Sequence, residues 1–447
     1  MTPAPAPDAG TAASASSSSS RVVTATTSLT ASARTALTGP SGPALLRGVL
    51  GSVLLTLGGF GTGALPVDGG PAARVGLIGF AFGHGEILAL ALTWTGVVLL
   101  VTAWLALGPR AVSGRLATRD AVWATALWSL PLLPAVPLFS RDAWSYLAQG
   151  AMTAAGVDPY EFGPEANPGA FSVEVSPDWQ STATPYGPLH LLAMRILVAL
   201  SGGHPGVGVL LLRLAVFAAL GALVALVVTA ARRTGVHPGA AVWMACMSPL
   251  SVIHLAGGLH NEIFPLVACL GAVVLTLDRR YAWAGAAIGV AVAFKATAVI
   301  VAPFLLWIAL DARRRDRAVT RPAIRALGDT AVAAAAAGAV FALATLALGT
   351  GLGWLNAISV SDRVINYLSA PPPAAHPIPA VTDSPGFEDV LAVTRRIGQV
   401  LLAATLVAVW WCHRRGSNSA VPGPHLGPPA LFGYHAFASP RVPLSGG

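Results

Sequence analysis

Apolar runs near 20 residues long, separated by short polar or basic loops, recur along the chain from residue 44 to residue 411. A run of that length matches what one helix needs to cross the hydrocarbon core of a bilayer at about 1.5 Å per residue. The pattern predicts helical spans at 44–65, 86–107, 121–138, 206–230, 238–256, 262–277, 327–350 and 390–411. The third carries Pro131, Pro134 and Pro137 and is expected to kink. The stretch 189–200 is apolar but too short to span, and is assigned to the interface. The G-F-G-T-G run that closes the first span lies in an apolar helix, where small residues serve close helix packing rather than phosphate binding.

The loops order these spans. Basic clusters stand at 110–119, 232–233, 279–280, 313–325 and 414–415. With a cytoplasmic N-terminus all of them fall inside, as short-loop charge bias requires. The loops 66–85, 139–190, 257–262 and 351–389 then fall outside. The apolar stretch 281–310 has basic residues at both ends, so it must enter and return on the same side. Two legs of about 14 residues reach only about 20 Å each, short of a core about 30 Å thick. A short re-entrant hairpin with Phe294-Lys295-Ala296 near its tip is expected, its backbone sheltered by protein. Residues 1–42, rich in Ser, Thr, Ala and Pro, read as a disordered cytoplasmic tail without a signal-peptide pattern. Residues 416–447 read as a Pro/Gly-rich non-membranous tail, compatible with a truncation or frameshift.

Composition agrees. The 447 residues are 54% hydrophobic and only 10% charged, against about 25% charged in soluble domains. The fold class is therefore an all-α polytopic membrane protein. The basic balance, 27 against 19, sits in loops and sets topology, so no nucleic-acid partner is called for. Cys246, Cys269 and Cys412 lie in or beside apolar runs with no metal spacing and read as packing residues.

Candidate chemistry concentrates in the outer loops. The segment 139–190 holds six of the nineteen acidic residues and opens F-S-R-D-A-W-S-Y. Ser140 can cap a helix whose first turn holds Asp142. At the membrane exit that carboxylate can meet a lipid headgroup and a water-borne acceptor at once. Its bland role is to satisfy amides and the helix dipole. Tyr146, and Tyr160 and Tyr186 beyond it, can anchor in the interface or stack on sugar and lipid. Asp158 reads as a turn residue or as a ligand of a hydroxyl. The tight turn G-G-L-H-N-E presents His260, Asn261 and Glu262, either for capping or for substrate. His254 stands six residues before His260, inside an apolar run. No metal-binding motif is present, so no metal ligands are assigned, and a divalent cation is left open without any certain cofactor.

Lys295 is the single Lys of the chain. An ionisable group within a membrane is a functional candidate by default. With no acid inside 281–310, a phosphodiester from a substrate is its expected partner. Arg213, in the fourth span, and Arg141 could share that phosphate, with Arg363, Arg395 and Arg396. The chain has no D-x-D, Walker loop or dinucleotide fingerprint, so a nucleotide sugar or ATP is not indicated.

The pieces F-S-R-D-A-W-S-Y, G-V-D-P-Y, T-P-Y-G-P-L, G-G-L-H-N-E and F-K-A-T-A, in this order, resemble the actinobacterial polyprenol-phosphate-mannose-dependent α-1,6-mannosyltransferases (MptB-type) of the GT-C class. The likeness runs over roughly residues 44–415. It implies a GT-C-like helix bundle with a long extracytoplasmic first catalytic loop, active on the outer side of the plasma membrane. It further implies a polyprenyl-phosphate-mannose donor, a lipid-linked glycan acceptor of the lipomannan type, and inverting displacement with Asp142 as the catalytic base. A GT-C enzyme for another sugar or a protein acceptor is the nearest alternative. A lipid-linked sugar flippase is the alternative of another class, although no repeat halves are evident.

Overall fold

The computed structural model describes residues 38–355, 370–377 and 386–416. Most of the two tails, Arg363 and much of the loop 351–389 lie outside the described residues. Among the described residues there is no strand. Helix α1 is Gly42–Thr62, α2 is Gly83–Val112 and α3 is Thr118–Ser129. The loop that begins at Phe139 contributes α4, Asp142–Ala154, and is followed by α5, Pro188–Leu200. Then come α6, Pro205–Thr234, α7, Pro238–Ala245, and α8, Ile263–Leu277. Helices α9, Tyr281–Phe294, and α10, Ala302–Arg315, form the hairpin region. The chain continues through α11, Pro322–Leu348, and α12, Phe387–Gly416.

Six described helical segments are long and apolar enough to cross a membrane: α1, α2, α6, α11, α12, and Ala296–Arg315, which includes α10. Close approach of α1 and α2 depends on small residues. A Cβ on Gly58 would lie 2.3 Å from Thr93 Oγ1, and one on Gly96 would lie 2.6 Å from the Gly51 carbonyl oxygen. The glycines of the first span thus serve packing.

Two expected spans come out shorter than their apolar runs. The run 121–138 gives a helix that stops at Ser129 and passes into a 3-10 turn, Leu130–Leu132. Its prolines supply no N–H and disfavour helical geometry in the residues before them, so they end the helix rather than kink it. The run 238–256 breaks after Ala245, ahead of Pro249, and resumes as a π-helical segment, Ser251–Gly257. Helix α8 has 15 residues, a length of about 22 Å.

Irregular backbone within such a bundle needs its polar groups satisfied. Arg213, buried on α6, does this. Its Nη1 donates to the carbonyls of Leu132 (2.8 Å) and Ala256 (3.1 Å), and its Nη2 to Ala135 (2.6 Å). One guanidinium therefore ties the broken end of α3 to the π-helical segment.

The hairpin turns where its tip was expected. Lys295 is extended between α9 and a 3-10 segment, Ala296–Val301. Its two ends meet, since Arg279 before α9 donates to Asp316 after α10 at 2.9 Å. The legs are unequal, however. The outgoing leg has 14 residues, whereas the returning 20 residues are long enough to cross. Further pairs, Arg233 with Asp278 and Arg313 with Asp329 (2.7 Å), join the ends of α6, α8, α10 and α11 into a charged girdle. Helix α8 runs away from this girdle to Glu262, and α9 runs away from it to Lys295, so both residues sit at the opposite end of the bundle.

Candidate active site

The site is assembled from three pieces of backbone that the sequence keeps far apart. The first is the start of α4. Ser140 Oγ accepts from the Asp142 N–H (3.1 Å), which fixes Asp142 in the first turn, as its sequence suggests. The second is the G-G-L-H-N-E turn. Leu138 N–H donates to the Gly257 carbonyl at 3.1 Å, which holds this turn against the start of the outer loop. Each piece carries a non-glycine residue in left-handed conformation just before its functional group: Phe139 (φ 62°) before Asp142, and Leu259 (φ 58°) before His260. Such conformations cost energy and persist where the surroundings over-determine them. Leu259 is fully buried, and so supplies that constraint.

The third piece is the hairpin tip. The Gly187 N–H donates to the Phe294 carbonyl (3.1 Å), and a Cβ on Gly187 would stand 2.2 Å from the Ala293 carbonyl oxygen. Only glycine lets T-P-Y-G-P-L press this closely on the tip. Lys295 Nζ then lies 2.5 Å from Glu262 Oε1 and 5.7 Å from the Tyr186 ring centre.

These contacts bring Asp142, Tyr146, Tyr186, His260, Glu262 and Lys295 into one cluster. Tyr146 Oη donates to Asp142 Oδ2 at 3.4 Å, and His260 Nδ1 stands 3.4 Å from the same oxygen. Tyr146 packs edge-on against Tyr186, with ring centres 5.2 Å apart. Burial, with the charges nearby, pushes both phenols above their ordinary range, so both stay protonated donors. Beneath them lies His190, fully buried, whose Nδ1 accepts from the Asn261 amide at 3.3 Å. Burial, reinforced by Lys295, pushes the His190 imidazolium down to about 3, so the ring is neutral.

Glu262 is held ionised. Burial opposes its charge, but the Lys295 hydrogen bond and charge outweigh burial and lower its pKa. His260 is shifted down by burial and by neighbouring His254. The rings of His254 and His260 are stacked, with centres 3.7 Å apart. His254, His260 and Glu262 form the one group among the described residues whose ligand atoms could hold a metal ion, all within 4.8 Å of one another.

Several expected roles change. The partner of Lys295 is Glu262, 33 residues earlier in the chain, where a substrate phosphate was expected to stand alone. Arg213 has its guanidinium spent on three carbonyls and is not brought to the cluster. Arg141 is likewise committed: it donates to the Glu174 carbonyl (2.9 and 2.7 Å) and to the Leu65 carbonyl (2.8 Å), and pairs with the Glu174 carboxylate at 3.2 Å. Glu174 is buried and also accepts from the Val67 N–H at 3.0 Å, so Arg141 pins the segment after α4 to the loop after α1. Asp158 accepts from the Tyr160 N–H (2.8 Å), a turn contact, and Tyr160 is buried against Leu191 and Leu348. Neither joins the cluster.

Beside Tyr186 lies an apolar cavity of about 180 Å³, walled also by Pro185, Gly187, Ala296 and Trp354. A second, of about 350 Å³, runs along α9, α10 and α11 and shares Val292 and Phe341 with the first.

Comparison with known proteins fits this layout. The family described as alpha-(1→6)-mannopyranosyltransferase, N-terminal domain (MptA_B family), matches residues 45–311. The alpha-(1→6)-mannopyranosyltransferase A of Mycobacterium tuberculosis is 38% identical over 389 residues, which cover 86% of this chain and 75% of that one. Its namesake in Corynebacterium glutamicum is 34% identical, covering 83% and 80%. The B-type enzyme of C. glutamicum is 29% identical, covering 85% and 67%. No solved structure matches the chain. A multi-pass helical protein with these relatives belongs to the alpha-(1→6)-mannopyranosyltransferase family and is a glycosyltransferase that transfers mannose.

Proposed function

We propose that the chain transfers mannose from polyprenyl-phosphate-mannose to a growing lipid-anchored mannan, in α-1,6 linkage, on the outer face of the plasma membrane. The observation that carries this reading is the meeting of a partly exposed carboxylate, Asp142, with a cation, Lys295, around two protonated tyrosines. Single displacement needs those parts. The acceptor hydroxyl gives its proton to Asp142 as its oxygen bonds to the anomeric carbon. The bond from that carbon to the phosphate oxygen breaks, and the electron pair leaves on the lipid phosphate. Lys295 stabilises the charge that develops there, with Glu262 holding the ammonium in place. Arg141 and Arg213 shape the site through their carbonyl contacts. The two apolar cavities, which share Val292 and Phe341 in their walls, offer a path for the lipid chain of the donor beside Lys295.

The outer-face assignment rests on charge. The Arg-rich girdle marks the cytoplasmic end under the positive-inside rule, and the cluster lies at the other end. Membranes containing the chain, supplied with labelled polyprenyl-phosphate-mannose, should extend an α-1,6-mannan. Asp142→Asn should lower the rate by about 10²–10⁴-fold, as loss of a general base does. Equal transfer by the two proteins would remove Asp142 from the mechanism.

A further inference from the structure

Three side chains at the rim of the site have a geometry that the Lys295–Glu262 pair leaves unused. His254 Nε2 and His260 Nδ1 each stand 4.0 Å from the same atom, Glu262 Oε2. That oxygen is shielded from solvent and has no hydrogen-bond partner, because Lys295 occupies Oε1 instead. A separation of 4.0 Å is too long for a hydrogen bond. Two nitrogens and a carboxylate oxygen therefore lie within 4.8 Å of one another, with no proton bridging either nitrogen to the carboxylate.

A cation would resolve this. An ion bound tetrahedrally at 2.0–2.2 Å holds its ligand atoms about 3.4 Å apart, so each imidazole nitrogen must close on Glu262 Oε2 by roughly half an ångström. His254 is half-exposed, and its ring must turn out of the stack on His260 for both lone pairs to meet one ion, while His260 Nδ1 exchanges its contact with Asp142 for the ion. The backbone supports the arrangement. The π-helical segment Ser251–Gly257 carries His254, and the turn at Leu259 folds His260 back beneath it. π-Helical insertions in helical proteins are frequent at functional sites.

We propose that His254, His260 and Glu262 bind one divalent transition-metal ion of the zinc type. Two imidazoles and one carboxylate are a donor set used by catalytic zinc, and three protein ligands leave a position for water or a substrate oxygen. Carbonyl and carboxylate sets without nitrogen would suit magnesium or calcium, and this is not one.

The test uses the full chain in detergent and does not depend on transferase activity. After dialysis against chelator, cobalt(II) is titrated while visible d–d absorption is followed, and zinc content is measured by mass spectrometry after reloading. One ion per chain is expected. His254→Ala and Glu262→Gln should each weaken binding at least about tenfold, on the scale of losing one contact in a metal site. His237→Ala, at the start of α7, should bind as the parent does. Gel filtration and melting curves identify any variant that misfolds, and Glu262→Gln, the isosteric change, then decides. Binding by the parent no tighter than by Glu262→Gln, or loss confined to His237→Ala, overturns the proposal.

Discussion

Lys295 Nζ lies 2.5 Å from Glu262 Oε1, at the point where the tip of the hairpin reaches the turn before α8. Both side chains are about one-third exposed, so the pair is partly screened, and its main effect is on the position of the ammonium. In the proposed mechanism Lys295 is the cation that faces the leaving phosphate, so Lys295→Gln should lower the transfer rate by about 10²–10³-fold, the usual effect of losing one stabilising group. Glu262→Gln should cost less, about tenfold, because the cation stays but loses its anchor. The double variant should be no slower than Lys295→Gln alone, since the two act as a unit. Fully multiplicative losses in steady-state kinetics would contradict that coupling.

Arg213 is expected to govern stability and not donor affinity. Arg213→Met removes the charged donor from the carbonyls of Leu132, Ala135 and Ala256 inside the bundle, and Leu132 keeps only its bond from the Ala135 N–H. The expected cost is about 3 kcal/mol, a fall in melting temperature of about 3 °C for a chain of this length. A raised KM for the donor with an unchanged melting temperature would instead return Arg213 to phosphate binding.

His190 should make the protein sensitive to mild acid. Its folded pKa, about 3, lies below its ordinary value of 6.5. The neutral ring therefore contributes stability that is complete above pH 6.5 and erodes as pH falls from there toward 3. The slope from one such group is about 1.4 kcal/mol per pH unit. Tyr146, Tyr186 and Phe294 pack around the ring and Asn261 donates to it, while Lys295 opposes and Glu262 favours the added proton. His190→Gln should flatten the melting temperature between pH 7 and pH 5. Parallel curves for the two proteins would show that another group sets the acid limit.

The sequence made some of this site legible and hid the rest for physical reasons. The Ser140–Asp142 cap is local, so the chain around residue 140 states it directly. Lys295 stands out because a lone charge in an apolar stretch is costly, and the turn at that residue follows from basic clusters on both flanks. The partners of Lys295, Arg141 and Arg213 are another matter. Each is a tertiary neighbour 33 to 81 residues away, and most are backbone carbonyls, which carry no signature in side-chain type. His254 looked like part of an apolar span because helical periodicity does not announce a π-helical segment. The short α3 and α7 were over-extended because apolar length was counted through prolines that in fact end the helices.

Helix α8 measures about 22 Å between the girdle at Asp278 and the cluster at Glu262, and a hydrocarbon core is about 30 Å thick. One short helix therefore sets the distance between the two charged groupings, and under the outer-face topology proposed above a substrate meets the cluster from the end away from the girdle.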